Sequence, residues 1–269
     1  MLDGPFAEGQ PQRSAVSPQE LVLHDDDSSA VCDICGLLYH KVKRLTRDPL
    51  SAAALYYLIK AADKYDCLST MRLQILGLMH TRFDCYTEHN WKDSVLHAAA
   101  AYLFKDAKFF ETATRHLIMN FNEPLSGVRK LDGGEVLPVS ALLAMAERRA
   151  KAQRTISVNL TEYHVDFLCG CLVSRSSDYM SSLQDALRLS SWPPSFNAKH
   201  DTIESITATL KSIKLLSGYF ANDCDPDGVG RVNVVEQVEG IEAMCRGLCI
   251  ECVREDSGEV AGSTCRHRS

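Results

Sequence analysis

The chain has 269 residues, and its 29 lysines and arginines against 35 aspartates and glutamates give a net charge of −6. A hydrophobic fraction of 45 % and a charged fraction of 24 % are ordinary globular values, so a wholly disordered chain, a collagen and a coiled-coil rod are excluded. The acidic balance, without a long basic tract, argues against a general nucleic-acid-binding protein.

The first predicted elements are one short strand and one helix. Residues 20–24 alternate in hydrophobicity as a half-buried strand does. Residues 25–29, DDDSS, then supply N-cap candidates and acidic first-turn residues for a helix. Apolar residues at spacings of three and four predict the buried stripe of that helix, formed by Val31, Ile34, Cys35, Leu38 and Tyr39.

Hydrophobic periodicity predicts four further helices, over 50–65, 67–80, 91–104 and 107–119. The buried face of the first of these is expected to carry Leu55, Leu58, Ile59 and Ala62. The buried face of the second is expected to carry Met71, Ile75, Leu78 and Met79.

A change of composition divides the chain at residues 122–136. This stretch favours a loop because it contains Pro124, Gly127, Gly133 and Gly134. We therefore predict two regions, 1–122 and 123–269. In the second region, periodicity predicts helices over 138–171, 176–189, 202–216 and 234–253. The predicted fold is mainly α, with one strand and eight or nine helices.

The N-terminal residues include Asp3 and Glu8 and lack the apolar segment of a signal peptide. No run approaches the roughly 18 apolar residues of a membrane span. We therefore expect an intracellular protein, cytoplasmic or nuclear, with no membrane partner. In a reducing compartment, the eleven cysteines favour free thiols over a disulfide framework.

Three cysteines near the C-terminus are the candidate metal ligands. Cys245, Cys249 and Cys252 stand at positions i, i+4 and i+7, which places their thiols on one face of the predicted last helix. Zinc takes four ligands, usually thiolates and imidazoles. The candidates for the fourth ligand are His200, Cys224, Cys265 and His267. The sequence favours the other interpretation, in which the three cysteines are small buried hydrophobic residues and the protein has no cofactor, because metal ligands usually lie on turns.

Three further patterns are weaker. Cys32 and Cys35 have CxxC spacing, but no second pair is suitably placed and Cys35 lies on the predicted core stripe, so we expect no redox or metal chemistry there. Residues 223–228, DCDPDG, resemble a calcium loop, but Val234 stands where that loop needs a carboxylate. The basic segment 148–154 favours a solvated helix face over a nuclear localisation signal or a partner-binding surface. Catalytic motifs are missing, so we expect no enzymatic activity.

Several segments, taken in order, resemble BTB (POZ) domains. Residues 1–9, MLDGPFAEG, are similar to the M-L-x-G-x-F-x-E part of the family signature. Residues 21–27, LVLHDDD, resemble the family's short strand and acidic run, and ADKYDC at 62–67 closely resembles the end of its next helix. The segment around Trp91 and GLCIECV at 247–253 are similar to BTB proteins of filamentous fungi. The resemblance covers most of the chain and is loose over 122–230.

The resemblance implies the C-terminal part of a BTB fold followed by an all-helical extension. The hairpin and helices that open the family's domain are missing, so we expect an N-terminally truncated domain. Those elements supply much of the family's homodimer interface, which puts homodimerisation in doubt. The implied function is a protein–protein interaction adaptor for a cullin ubiquitin ligase, with contacts on residues 21–27 and on the helices between 50 and 80. The alternatives are a transcription-linked nuclear interaction protein and a zinc-stabilised helical module.

Overall fold

The computed structural model of the chain describes residues 26–39, 50–83, 90–121, 123–166, 202–212 and 234–255. Most of these residues are helical and none of them forms a strand, so the mainly α class is confirmed for this part of the chain. The predicted strand at 20–24 and the predicted helix at 176–189 lie outside the described residues. None of the described helices is long and apolar enough to cross a membrane.

Nine α-helices and one 3-10 helix run through the described residues. The first five are α1 (Ser28–Leu38), α2 (Ala52–Lys64), α3 (Arg72–Phe83), α4 (Trp91–Phe104) and α5 (Ala107–Asn120). The 3-10 helix (Leu125–Lys130) leads to α6 (Val139–Asp166), α7 (Ile203–Ser212), α8 (Val234–Met244) and α9 (Ile250–Arg254). The predicted bounds of α2, α4 and α5 are confirmed within a few residues, whereas α3 begins later than predicted because turns precede it.

Helix α4 forms the centre of the described core. Nine of its fourteen residues are buried, including a continuous run from Ser94 to Ala101, so the helix is covered on every face. The alanines in that run have small side chains, so α2 and α5 can pack closely against α4. Gly133, which follows the 3-10 helix, has a φ of +81°, and a Cβ there would lie 3.1 Å from the Ala99 Cβ. The positive φ and the close approach to α4 therefore both favour glycine at position 133.

Most predicted buried faces are confirmed. All four apolar residues predicted on the inner face of α2 have no exposed surface. On α3, Met79 and Ile75 are buried and Leu78 is partly buried. Buried residues on both sides of the predicted boundary, such as Phe110 and Met145, belong to one continuous core. The division into regions 1–122 and 123–269 stays a prediction.

Side-chain caps explain where several helices begin. The carboxylates of Asp27 and Asp106 accept hydrogen bonds from the Ala30 and Phe109 amides at 2.8 Å and 3.0 Å. The Ser51 hydroxyl accepts one from the Ala54 amide at 3.1 Å. Such caps satisfy amides that have no partner within the helix, and each contributes about 1 kcal/mol.

The buried face of α1 differs from the predicted stripe. Ala30, Asp33, Ile34 and Leu37 are buried, whereas Cys35, Leu38 and Tyr39 are exposed. Apolar residues surround much of this helix, so periodicity alone left its orientation undecided. Packing against α2 selects the face that contains the small Ala30 and the polar Asp33.

The predicted single helix over 234–253 is wrong. The chain instead forms α8 and the short α9, separated by a non-helical link from Cys245 to Cys249. The physical reason is a close backbone approach, because a Cβ on Gly247 would lie 1.7 Å from the Glu111 carbonyl oxygen of α5. The link is therefore non-helical, and this conformation allows Gly247 to pack against α5.

Candidate functional site

The BTB-like motif ADKYDC at 62–67 forms the end of α2. The Cys67 amide donates to the Ala62 carbonyl at 2.7 Å, and the Asp66 amide donates to the Asp63 carbonyl at 3.1 Å. Asp66 has a φ of 54°, in the left-handed region. These bonds form a Schellman motif, with aspartate at the position where glycine is most common.

The same motif also holds the start of α1. The Lys64 Nζ lies 2.7 Å from Asp26 Oδ1, and the Tyr65 hydroxyl donates to Asp26 Oδ2 at 2.5 Å. The hydrogen bond from Lys64, followed by that from Tyr65, holds the pKa of the Asp26 carboxyl below its usual value. The motif thus fixes both the turn after α2 and the contact between α1 and α2.

A second polar cluster joins α2 to the loop after the 3-10 helix. The Tyr56 hydroxyl and the Lys60 ammonium both donate to Glu135 Oε1, at 3.0 Å and 3.2 Å. The Tyr57 hydroxyl donates to Asp132 Oδ2 at 3.2 Å. Burial on its own raises the pKa of Glu135, but the hydrogen bonds from its own amide, Tyr56 and Lys60 outweigh burial, so this pKa lies below its usual value.

Glu135→Gln is expected to reduce the loss of stability at low pH. Because the pKa of Glu135 is lowered on folding, its carboxylate stabilises the fold above the unfolded pKa, and this contribution is lost as the pH falls through the folded value. Half of the side chain is exposed (51 %), so the expected effect is below about 1 kcal/mol. Urea denaturation between about pH 7 and pH 3 measures the free energy of unfolding for both proteins.

Glu147→Gln is the matched control, because Glu147 lies on the exposed face of α6. We expect this variant to keep the pH dependence of the parent protein. Identical acid profiles for Glu135→Gln and the parent would contradict the assigned role of Glu135.

The non-helical segment from Cys245 to Cys249, which we call the C-terminal link, is hydrogen-bonded by side chains of α5 and α6. The Arg148 Nη1 donates to the Arg246 and Gly247 carbonyls, at 2.6 Å and 2.8 Å. The Leu248 amide donates to the Thr114 Oγ1 at 2.8 Å, and the Thr114 hydroxyl donates to the Phe110 carbonyl at 2.7 Å. Two carbonyls and one amide of the link thus have hydrogen-bond partners, although the link is not helical.

The basic segment 148–154 is partly engaged in internal contacts. Arg148 binds the C-terminal link, and Arg149 is buried and donates to the Glu123 carbonyl at 3.0 Å. Burial lowers the pKa of Arg149. Lys151 and Arg154 are exposed. The surface available to a nuclear import receptor is therefore smaller than the sequence indicates.

The three candidate zinc ligands do not share one helix. Cys245 follows α8, Cys249 is the N-cap residue of α9, and Cys252 lies within α9. Burial raises the pKa of the Cys245 thiol to about 11. The Cys249 thiol lies 3.0 Å from Glu251 Oε2.

Within the described ranges, no three His, Cys, Asp or Glu side chains are grouped so that they could hold a metal ion. The candidates for a fourth ligand, His200, Cys224, Cys265 and His267, lie outside those ranges, as does the calcium-like loop 223–228. Zinc binding by the three C-terminal cysteines stays a prediction.

Sequence patterns gave no sign of a contact between a serine and a histidine. The Ser94 Oγ lies 2.7 Å from the His116 Nδ1, which links α4 to α5. Ser94 has no exposed surface, so its hydroxyl is closed to a substrate in this conformation. This contact is one of helix packing, and the 22-residue separation gives it no recognisable motif.

Large apolar side chains are exposed at several points of the described surface. Leu73 at the start of α3 is 81 % exposed, Tyr39 after α1 is 74 % exposed, and Leu143 on α6 is 60 % exposed. Leu73 lies within the helices where the BTB resemblance implies partner contacts. Leu73 is the most exposed of these three residues.

The chain matches no protein-family model, no curated protein and no solved structure. The likeness to BTB domains therefore depends on the residues of the sequence alone.

Proposed function

We propose that this chain is a non-enzymatic protein–protein interaction module of the BTB type, acting in the cytoplasm or nucleus as an adaptor for a cullin ubiquitin ligase. The observation that carries the proposal is ADKYDC at 62–67, which follows the MLDGPFAEG segment and the acidic run in the order found in BTB domains.

The contacts of the motif support an interaction role. Lys64 and Tyr65 bind Asp26, so this residue of the acidic run lies beside the end of α2. Residues 21–27 and the helices between 50 and 80 are the segments where the resemblance places the cullin contacts. Leu73 follows the motif by six positions and presents an apolar side chain to solvent. An apolar side chain that becomes buried in an interface stabilises the complex because its surface is removed from water.

Leu73→Asp is expected to weaken binding of a cullin scaffold subunit from the same organism by about 30-fold, which corresponds to about 2 kcal/mol. A carboxylate at this position would have to lose its hydration in the interface without a partner charge. Titration calorimetry with the purified chain and the purified scaffold measures the dissociation constants.

Leu143→Asp is the matched control, because Leu143 is also an exposed leucine in a helix but lies on α6. We expect this variant to bind as the parent chain does. Equal weakening by both variants would exclude Leu73 as a specific contact, and no binding by the parent chain would overturn the cullin adaptor function.

A further inference from the structure

Helix α1 carries two exposed thiols on one face. Cys32 and Cys35 are both free and exposed, whereas Cys245 and Cys252 are buried. The opposite face of α1, which contains Ile34 and Leu37, packs against α2. Cysteine is among the most buried residue types, so two exposed cysteines on the outer face of one helix depart from the usual pattern.

The helix brings the two thiols within reach of each other. Residues i and i+3 are neighbours on a helical surface, and their Cα atoms are about 5 Å apart. This distance lies within the range of about 4.4–6.8 Å that disulfides span. Cys32 and Cys35 therefore meet the Cα distance requirement for a disulfide. The sequence-based expectation of no redox chemistry assumed that Cys35 is buried in the core, and its exposure removes that objection.

The same geometry favours a bond that is easily reduced. The Cβ atoms of residues i and i+3 in a regular helix are about 5–6 Å apart, whereas a disulfide needs about 3.8 Å. Closing the bond must tighten one turn of α1, which stores strain. Strained and exposed disulfides are the labile ones, and they exchange readily with small thiols.

We propose that Cys32 and Cys35 form a reversible dithiol–disulfide site that low-molecular-weight disulfides oxidise. One cysteine thiolate attacks a sulfur of the small disulfide, forms a mixed disulfide and releases one small thiolate. The thiolate of the other cysteine then attacks the bound protein sulfur, forms the Cys32–Cys35 bond and releases the second small thiolate. Two electrons pass from the cysteine pair to the small disulfide, and the released thiolates take up the two protons.

The test treats the purified full chain with oxidised glutathione and then maps its tryptic peptides by mass. The tryptic peptide 14–41 contains Cys32 and Cys35 and no other cysteine. We expect this peptide to lose the mass of two hydrogen atoms, and to regain it when the protein is transferred to reduced glutathione. Cys32→Ser and Cys35→Ser are each expected to retain one glutathione on the remaining cysteine, because the second attack is impossible.

Cys67→Ser is the matched control, because Cys67 is partly buried and its thiol donates to the Tyr65 carbonyl at 3.3 Å. This variant is expected to form the same disulfide in peptide 14–41. An unmodified peptide 14–41, a peptide with two glutathiones or a bond to another cysteine would overturn the proposal. So would a disulfide that reduced glutathione fails to open.

Discussion

Gly247→Ala is expected to lower the free energy of unfolding by about 3 kcal/mol, because the added methyl group has no room. Its Cβ would lie 1.7 Å from the Glu111 carbonyl oxygen and 2.8 Å from the Glu111 Cα. Both atoms belong to the backbone of α5 and have little freedom to move. Relieving the overlap must therefore shift the link and weaken its bonds to Arg148 and Thr114. Urea denaturation of the two proteins measures the difference.

Gly240→Ala is the matched control for this substitution. Gly240 lies inside α8, and a Cβ there would meet no atom within 4 Å. Alanine is the better helix former, so we expect this variant to gain about 0.5–1 kcal/mol. A Gly247→Ala variant as stable as Gly240→Ala would contradict the close packing of the link against α5.

Thr114→Val is expected to lower the free energy of unfolding by about 2 kcal/mol while preserving the shape of the side chain. Valine cannot accept the hydrogen bond from the Leu248 amide, so that amide would remain buried without an acceptor. The cost follows from leaving a buried donor unsatisfied, which exceeds the net value of an ordinary hydrogen bond. Urea denaturation measures the loss, and hydrogen exchange at the Leu248 amide is expected to accelerate.

Thr112→Val on the same helix is the control for this prediction. The Thr112 hydroxyl is exposed and donates to the Lys108 carbonyl at 2.9 Å within α5. We expect its replacement to change stability by no more than about 0.5 kcal/mol. Similar losses in Thr112→Val and Thr114→Val would indicate that helix propensity, and not the bond to Leu248, accounts for the effect.

Features encoded by neighbouring residues could be predicted from the sequence. The acidic run before α1 contains the capping residue Asp27, and Leu55 lies on the predicted buried face of α2. The turn after α2 is also closed by bonds between near neighbours, such as that from the Cys67 amide to the Ala62 carbonyl. Capping, periodicity and turn formation act over a few residues, so a local pattern carries them.

Features that depend on distant contacts could not be predicted. The break between α8 and α9 requires Gly247 to meet Glu111, which is far away in the sequence. The role of Arg148 likewise depends on carbonyls nearly 100 residues away. The exposure of Cys35 depends on which face of α1 packs against α2, and several apolar faces were available. Tertiary packing determines these three features, and it overrides the conformational preferences of the local sequence.

We propose that this chain acts by binding a protein partner. Native immunopurification of the endogenous protein, with peptide mass identification and quantification of co-purifying proteins, tests it most directly. We expect a cullin at near-stoichiometric yield, and the loss of that cullin when the endogenous protein carries Leu73→Asp. Recovery of the chain alone, or of a cullin that is unaffected by Leu73→Asp and by Leu143→Asp alike, would contradict it.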